Sequence, residues 1–473
     1  MVHDLLFHEL LLCGLLWLGV SAYVRWPRGL ATKHPPAPQT TSAAKAHKPF
    51  AGLTPKPYCQ ACEQGQAHVD RPPPALPPLI APKRGRPRTV NTHTQYCPTK
   101  TCPYYGWIGQ GNIRANGHPG RRAWRQLHCV RCDTYFLETY GTLFYGKPHP
   151  AERLVQAVAA LAEGLGIRAV ARVFDVDPNT VRTWLSAAAD QLAIFSRSRL
   201  HDVHVNHVQL DELCAWVSEV KAEQGSEAEA NEHFPRAPHW IWVAIDPASK
   251  LLLALDVGER TLAMAQRLVH QVRHVVAPGC LPLFLPDGLK EYATALLTHF
   301  GHWVQPLRTQ AKGPAPKPHG MPRPDLLYAQ VVKMYRRRRL IRMQPRVVFG
   351  TLAQIMHVLA PLGWHINTAF IERINLTIRH HVAAVGRRVM TLCKREAGLR
   401  DQLHLYHTYY NFCLPHVSLR VLLACPQPTK GRGSAKRWCP CTPAIAAGLT
   451  DHVWTLREVL LFRVPLWPQP QGL

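Results

Sequence analysis

Residues 203–212 read VHVNHVQLDE and residues 281–288 read LPLFLPDG, and these two stretches decide the fold. In the first, apolar residues alternate from Val203 to Leu210, the period of a half-buried strand, and the run ends at Asp211. The second is a continuous apolar run of strand length, closed by the turn formers Pro286-Asp287-Gly288. Between them, Trp240–Ile245 and Leu251–Leu255 read as two more strands, joined through Asp246-Pro247-Ala248-Ser249-Lys250. A helix is expected from Thr261 to about Val276, another from about Leu289 to Phe300, and a third near Asn367–Val385 carrying Glu372. Three antiparallel-type strands, a helix, a fourth strand and further helices make an α/β pattern.

This order resembles the ribonuclease-H-like fold, a resemblance that implies a first and a fourth strand lying side by side. Asp211 and Asp287 are then neighbours, and Glu372 completes the cluster from a packed helix. Three carboxylates that close cannot all stay ionised without a cation. Oxygen ligands of this kind suit a hard divalent ion, Mg²⁺ or Mn²⁺. Two such ions bridging a phosphodiester activate an attacking hydroxyl and stabilise the leaving one.

Leu210-Asp211-Glu212, Pro286-Asp287-Gly288 and the run NTAFIERINLTIR at 367–379 look like the D, D and E boxes of bacterial insertion-sequence DDE transposases. The run YYNFCLPH at 409–416 resembles the motif that such proteins carry shortly after the glutamate. The resemblance covers roughly 95–420. It implies a polynucleotidyl transferase in which Asp211, Asp287 and Glu372 are the catalytic, metal-binding triad. It also implies double-stranded DNA partners, the element ends and the target, brought together by a homo-oligomer. Glu372, Asn375 and Arg379 fall at i, i+3 and i+7, so they share one helix face, where Asn375 and Arg379 would hold a scissile phosphate or a DNA end. Asp246 and Asp256 also lie on strands, so a shifted register would bring one of them into the site instead.

Toward the N-terminus, Cys97-x4-Cys102 and Cys129-x2-Cys132 are two knuckles able to place four thiolates around a structural Zn²⁺. Between Asp70 and Asp133 there is no acidic residue, while eleven Lys or Arg intervene. A small β-rich zinc module over 93–147 follows from this, with a basic and aromatic surface suited to DNA. Residues 150–195 then show apolar residues at helical spacing. One helix is expected from Glu152 to Glu163, a second from Ile167 to Phe174, and a third starting at Asp177-Pro178, where Asp177 is an N-cap candidate. That is the helix-turn-helix pattern, with Asn179, Thr180, Arg182 and Thr183 facing a major groove. A plain three-helix bundle has the same periodicity.

The composition agrees with a polyanion partner. The 473 residues carry 56 Lys and Arg against 30 Asp and Glu, a formal charge of +26, and such a field attracts nucleic acid. A hydrophobic fraction of 47% excludes a wholly disordered chain. The fourteen cysteines fall partly in close pairs, which suggests metal ligation in a reducing cytoplasm more than disulfides. Residues 27–92 are rich in Pro, Ala, Thr and Lys and read as a linker. Within it, Arg84, Arg86 and Arg88 flank Gly85 and Pro87 like an AT-hook for the minor groove; a solvated basic linker reads the same way. Cys59-x2-Cys62 is a metal half-site or chance. Residues 5–24 are largely apolar, with Arg25, Arg28 and Lys33 after them, so they read either as a membrane anchor that keeps the rest cytoplasmic or as an amphipathic leader. The catalytic region is expected over 200–420, and 421–473 match no pattern. Three rivals share these features: a non-catalytic DNA-binding regulator, a structure-selective nuclease of the same fold, and a membrane-tethered nucleic-acid protein in which the leader is the essential part.

Overall fold

The computed structural model describes residues 90–465 apart from 122, 219–235, 308–316, 338, 387–392, 394 and 429–432. The run 5–24, the linker with Arg84, Arg86 and Arg88, and Cys59 and Cys62 lie outside the described residues. The chain divides into two compact units. Glu63–Val331 with Pro345–Leu473 form one, and the described residues of the other are confined to Val332–Gln344. Among the described residues no helix is long and apolar enough to cross a membrane.

Three short strands, β1 (Ile113–Ala115), β2 (Gln126–Cys129) and β3 (Thr134–Leu137), pair antiparallel in that order. Ile113, Leu127 and Phe136 pack with Cys97, Cys102, Tyr104 and Cys129 into a small core. Three helices follow: α1 (Ala151–Ala162), α2 (Ile167–Phe174) and α3 (Pro178–Arg199). The side chain of Asp177 accepts the Asn179 amide at 2.8 Å, which caps α3, and Pro178 occupies its first turn. Leu154, Val158, Val170, Val181, Trp184 and Leu192 bury the shared faces of the three helices.

The α/β region begins with β4 (His207–Ser218), β5 (Arg236–Ile245) and β6 (Leu252–Gly258), then α4 (Leu262–Val275), β7 (Leu283–Pro286) and α5 (Glu291–Phe300). A two-stranded sheet of β8 (His302–Val304) and β9 (His319–Met321) comes next. The strands β10 (Tyr328–Arg336) and β11 (Arg339–Phe349) and the helices α6 (Leu352–Leu359), α7 (Ala369–His381) and α8 (Glu396–Thr408) complete it. The six-stranded sheet runs β11-β10-β7-β4-β5-β6. The β4–β5 and β5–β6 pairs are antiparallel, while β4–β7 and β7–β10 are parallel. It is a mixed α/β architecture with β4 in the middle.

Both sheet faces are covered. Val208, Leu210, Trp242 and Ala244 pack with α4 and α5 on one side. Leu213, Ala215, Ile241 and Val243 pack with Ile371, Ile374 and Ile378 of α7 and with Leu399, Leu403 and Tyr406 of α8 on the other. Burial on two faces explains why β5 reads as one apolar run and not as an alternation.

Several boundaries differ from the sequence expectation. β4 does not stop at Asp211 but continues to Ser218, because β5 pairs with it along the whole way, Asp211 lying opposite Val243. β6 likewise runs past Leu255 and includes Asp256. The basic stretch 333–346 lies on two strands. The tail is structured as well: β12 (Val421–Gln427) pairs with β13 (Lys436–Cys439), and α9 (Pro443–Ala446) and α10 (Leu456–Leu461) follow. Leu456, Val459 and Leu460 of α10 are buried in the core that holds α1–α3.

Candidate active site

The parallel β4–β7 register sets Leu210 opposite Pro286, so the next residue on each strand, Asp211 and Asp287, share one rim of the sheet. Their carboxylates gather with that of Glu212, each offering an oxygen within 4.8 Å of the others. Glu212 had no role assigned from the sequence. Strand alternation sends Asp211 toward α7 and Glu212 toward α4 and α5. The Asp287 side chain also accepts the Leu289 amide at 3.1 Å, which holds the turn after β7.

Glu212 is buried among specific partners. Arg260 donates to it from Nε at 3.3 Å and from Nη2 at 3.2 Å, and the Tyr292 hydroxyl donates to its other oxygen. Burial pushes its carboxyl well above the usual range, and the charges of Asp287 and Asp211 push the same way, against the Tyr292 hydrogen bond and Arg260. The signal available in the sequence was the Asp-Glu pair itself, two acids in a row on an otherwise apolar strand.

Helix α7 supplies the third side of the site. Ile371, Ile374 and Ile378 bury one stripe, and Glu372, Asn375 and Arg379 form the stripe beside it. Asn375 donates from Nδ2 to Asp211 at 2.7 Å, while its Oδ1 is buried with no hydrogen-bond partner. Arg379 donates to the carbonyls of Val385 at 3.3 Å and Cys214 at 3.4 Å. These contacts run Gln209 to Ile371, Asp211 to Asn375 and Cys214 to Arg379, so α7 runs in the same direction as β4. Glu372 is exposed, one turn before Asn375, and accepts from Thr368 Oγ1 at 3.0 Å. It is not gathered with the three carboxylates.

Gln209 fixes how α7 begins. Buried on the same strand face as Asp211, it accepts the Ile371 amide at 2.9 Å and donates to the Asn367 carbonyl at 2.8 Å. One side chain thus meets two main-chain groups at the start of the helix, where amides have no partner within the helix.

The other acidic candidates are committed elsewhere. Asp246 closes its turn by accepting from the Ala248 and Ser249 amides and the Ser249 hydroxyl. Asp256 is paired with Arg400 at 2.5 Å and Arg267 at 2.7 Å. Neither stands in the cluster.

The four cysteines come together. Sγ of Cys97 is 3.5 Å from that of Cys132, and Sγ of Cys102 is 3.9 Å from that of Cys129. Thiolates on one tetrahedral ion, each about 2.3 Å from it, stand about 3.8 Å apart, so the spacing fits a closed four-sulfur site. Burial pushes the Cys97 thiol up to about 11. At Cys132 burial acts upward too, but hydrogen bonds with Thr134 outweigh it and bring the thiol down to about 6. On α3, Asn179, Arg182 and Thr183 are exposed and Thr180 is half-buried.

No family model and no curated protein sequence matches the chain. Among solved structures the chain is similar to the Mos1 strand transfer complex, with 15% identity and a TM-score of 0.14, over 32% of this chain and 55% of that one. It is similar to a pre-cleavage Mos1 transpososome at 16% identity and a TM-score of 0.14, over 33% of this chain and 59% of that one. A Mos1 transposase paired-end complex with the left transposon end gives 15% identity and a TM-score of 0.13, over 33% and 58%. The chain thus spans well under two thirds of the length of the chains it matches, between 55% and 59%.

Proposed function

We propose that the chain is a DDE-type DNA transposase built on a ribonuclease-H-like domain. The observation that carries this reading is the pairing of Asp211 and Asp287 on adjacent parallel strands beneath a helix whose Asn375 holds Asp211. The sheet order supports the fold, with β4 flanked by two antiparallel strands on one side and by parallel β7 and β10 on the other.

Gathered carboxylate oxygens beside the partnerless Asn375 Oδ1 suit Mg²⁺ or Mn²⁺. Two such ions, when bound, lower the barrier to in-line displacement at a phosphodiester. Asp211 and Asp287 hold their oxygens side by side, and Asn375 fixes the orientation of Asp211. Glu372 joins them by leaving Thr368, a rotation within reach of an exposed side chain at the start of α7. The Arg260–Glu212–Tyr292 group braces β4 against α4 and α5 behind the site. Arg379 ties α7 to β4 and keeps Asn375 in register.

The four thiols hold a structural Zn²⁺, and α1–α3 act as a helix-turn-helix that presents Asn179, Thr180, Arg182 and Thr183 to the major groove of the element ends. The site first hydrolyses DNA to free 3′-OH ends and then uses each 3′-OH as the nucleophile on target DNA. Two ends processed together call for a homo-oligomer.

The test is incubation of the full chain with labelled DNA carrying the sequences that border its gene, in Mg²⁺ and in EDTA. Metal-dependent 3′-end cleavage and joining is the expected result. Cleavage without joining would mark a nuclease. Binding without cleavage would mark the non-catalytic regulator, a reading that the place of Glu372 outside the cluster favours.

A further inference from the structure

Helices α4 and α5 carry a second cluster of metal-ligating side chains, on the outer surface away from the carboxylates. His270 and His274 are four residues apart on α4, so their side chains stand one above the other. Their Nε2 atoms are 3.1 Å apart, and the rings are nearly perpendicular at 80°. His299, near the end of α5, has its ring centroid 5.2 Å from that of His270. Both α4 histidines are exposed, and His299 is half-buried.

We propose that His270, His274 and His299 form a binding site for a divalent transition-metal ion. Two imidazole nitrogens on one such ion, each about 2.0–2.1 Å from it, stand about 3–3.4 Å apart depending on the coordination angle. The His270–His274 separation falls in that interval. Imidazole favours zinc, copper and nickel over magnesium or calcium, so this chemistry differs from that of the oxygen cluster. His299 brings a third imidazole beside the pair, its ring tilted 51° to that of His270. Its nitrogens are not gathered with those of the α4 pair, so it completes the site by turning one of them toward the pair. The bound ion staples α5 to α4, the two helices that carry Tyr292 and follow Arg260.

The test is a Co²⁺ titration of the full chain, loaded beforehand with one equivalent of Zn²⁺ per chain, freed of excess Zn²⁺ and kept in excess Mg²⁺ so that the sulfur and oxygen sites are filled while the histidines stay open. The expected result is one tightly held Co²⁺ with visible d–d bands and no thiolate charge-transfer band. His274→Ala and His270→Gln should each weaken it at least about tenfold, with circular dichroism unchanged because both residues are exposed. His299→Ala should weaken it as well, and unchanged affinity there would overturn the third ligand. Absence of bound Co²⁺, a charge-transfer band that marks exchange at the cysteines, or equal affinity in the α4 variants would overturn the site.

Discussion

Asp256 and Glu212 are both buried carboxylates, on the two strands that flank β5, and their partners separate their roles. Asp256 is neutralised by Arg400 and Arg267, with Gln271 donating at 2.7 Å, so it holds α4 and α8 to β6. Removing its charge takes the carboxylate from Arg267 and leaves Arg400 with only Glu396 and the Val257 carbonyl. Asp256→Asn should therefore cost about 3 kcal/mol of stability, read by urea denaturation, with metal binding at Asp211 and Asp287 unchanged. His407 is a second buried group, its Nε2 2.7 Å from the Leu252 carbonyl. Burial pulls it from 6.5 down to about 4. The unfolded chain then binds more protons than the folded one between those values. Its contribution is intact above pH 6.5 and is lost as pH falls toward 4, a loss of about 2 kcal/mol near about pH 4.5. Calorimetry from pH 7 downward should show this decline, and His407→Gln should flatten it; an equal slope in that variant would show that other groups cause it. That Asp211 and Asp287 would meet could be read from the sequence, because both follow directly on strand-length apolar runs; there Asn375 reads as a DNA contact, and its hydrogen bond to Asp211 is not foreseen. Glu212 could not be placed, because its importance lies in Arg260 and Tyr292, which are distant in the chain.

At the scale of elements, helices whose ends are marked by side chains were legible. Asp177 and Pro178 announce α3, and Gly164 ends α1 where a Cβ would stand 2.4 Å from the His380 carbonyl. Strand ends were not, since β4 and β6 extend as far as their partners do. The β10–β11 pair was hidden because arginines replace the apolar alternation that normally marks a strand. The junction of β4 with α7 depends on Gln209, whose role is visible only once Ile371 and Asn367 are placed above it. Gln209→Leu should leave one amide and one carbonyl unmet at a buried helix start, costing about 1–3 kcal/mol. DNA cleavage should fall by more than end binding does, and equal losses in both assays would show a purely structural role.

Across the whole chain, the tail binds the N-terminal modules together. Arg463, buried, donates to Gln95 Oε1 at 3.1 Å and to the Tyr96 carbonyl at 3.2 Å, and it lies 4.1 Å from the Tyr96 ring. Gln191 of α3 donates to the Phe462 carbonyl at 3.3 Å, and Arg457 of α10 pairs with Glu152 of α1 at 2.9 Å. None of this shows in the Pro- and Trp-rich sequence of 425–473, because each partner lies hundreds of residues upstream. A cysteine module with so small a core would depend on the proposed Zn²⁺ and on this strap. Cys129→Ser should release one Zn²⁺ per chain and weaken binding to element ends, and unchanged zinc content by elemental analysis would place the ligands elsewhere.

In the proposed function Asp211 and Asp287, with Glu372, process DNA with a divalent ion. The most direct measurement compares the wild-type chain with Asp287→Asn for 3′-OH formation on labelled element ends and for binding to the same ends. The variant should bind as the wild type does and make no 3′-OH in Mg²⁺. Equal cleavage by the variant would remove Asp287 from the site and contradict the proposed function.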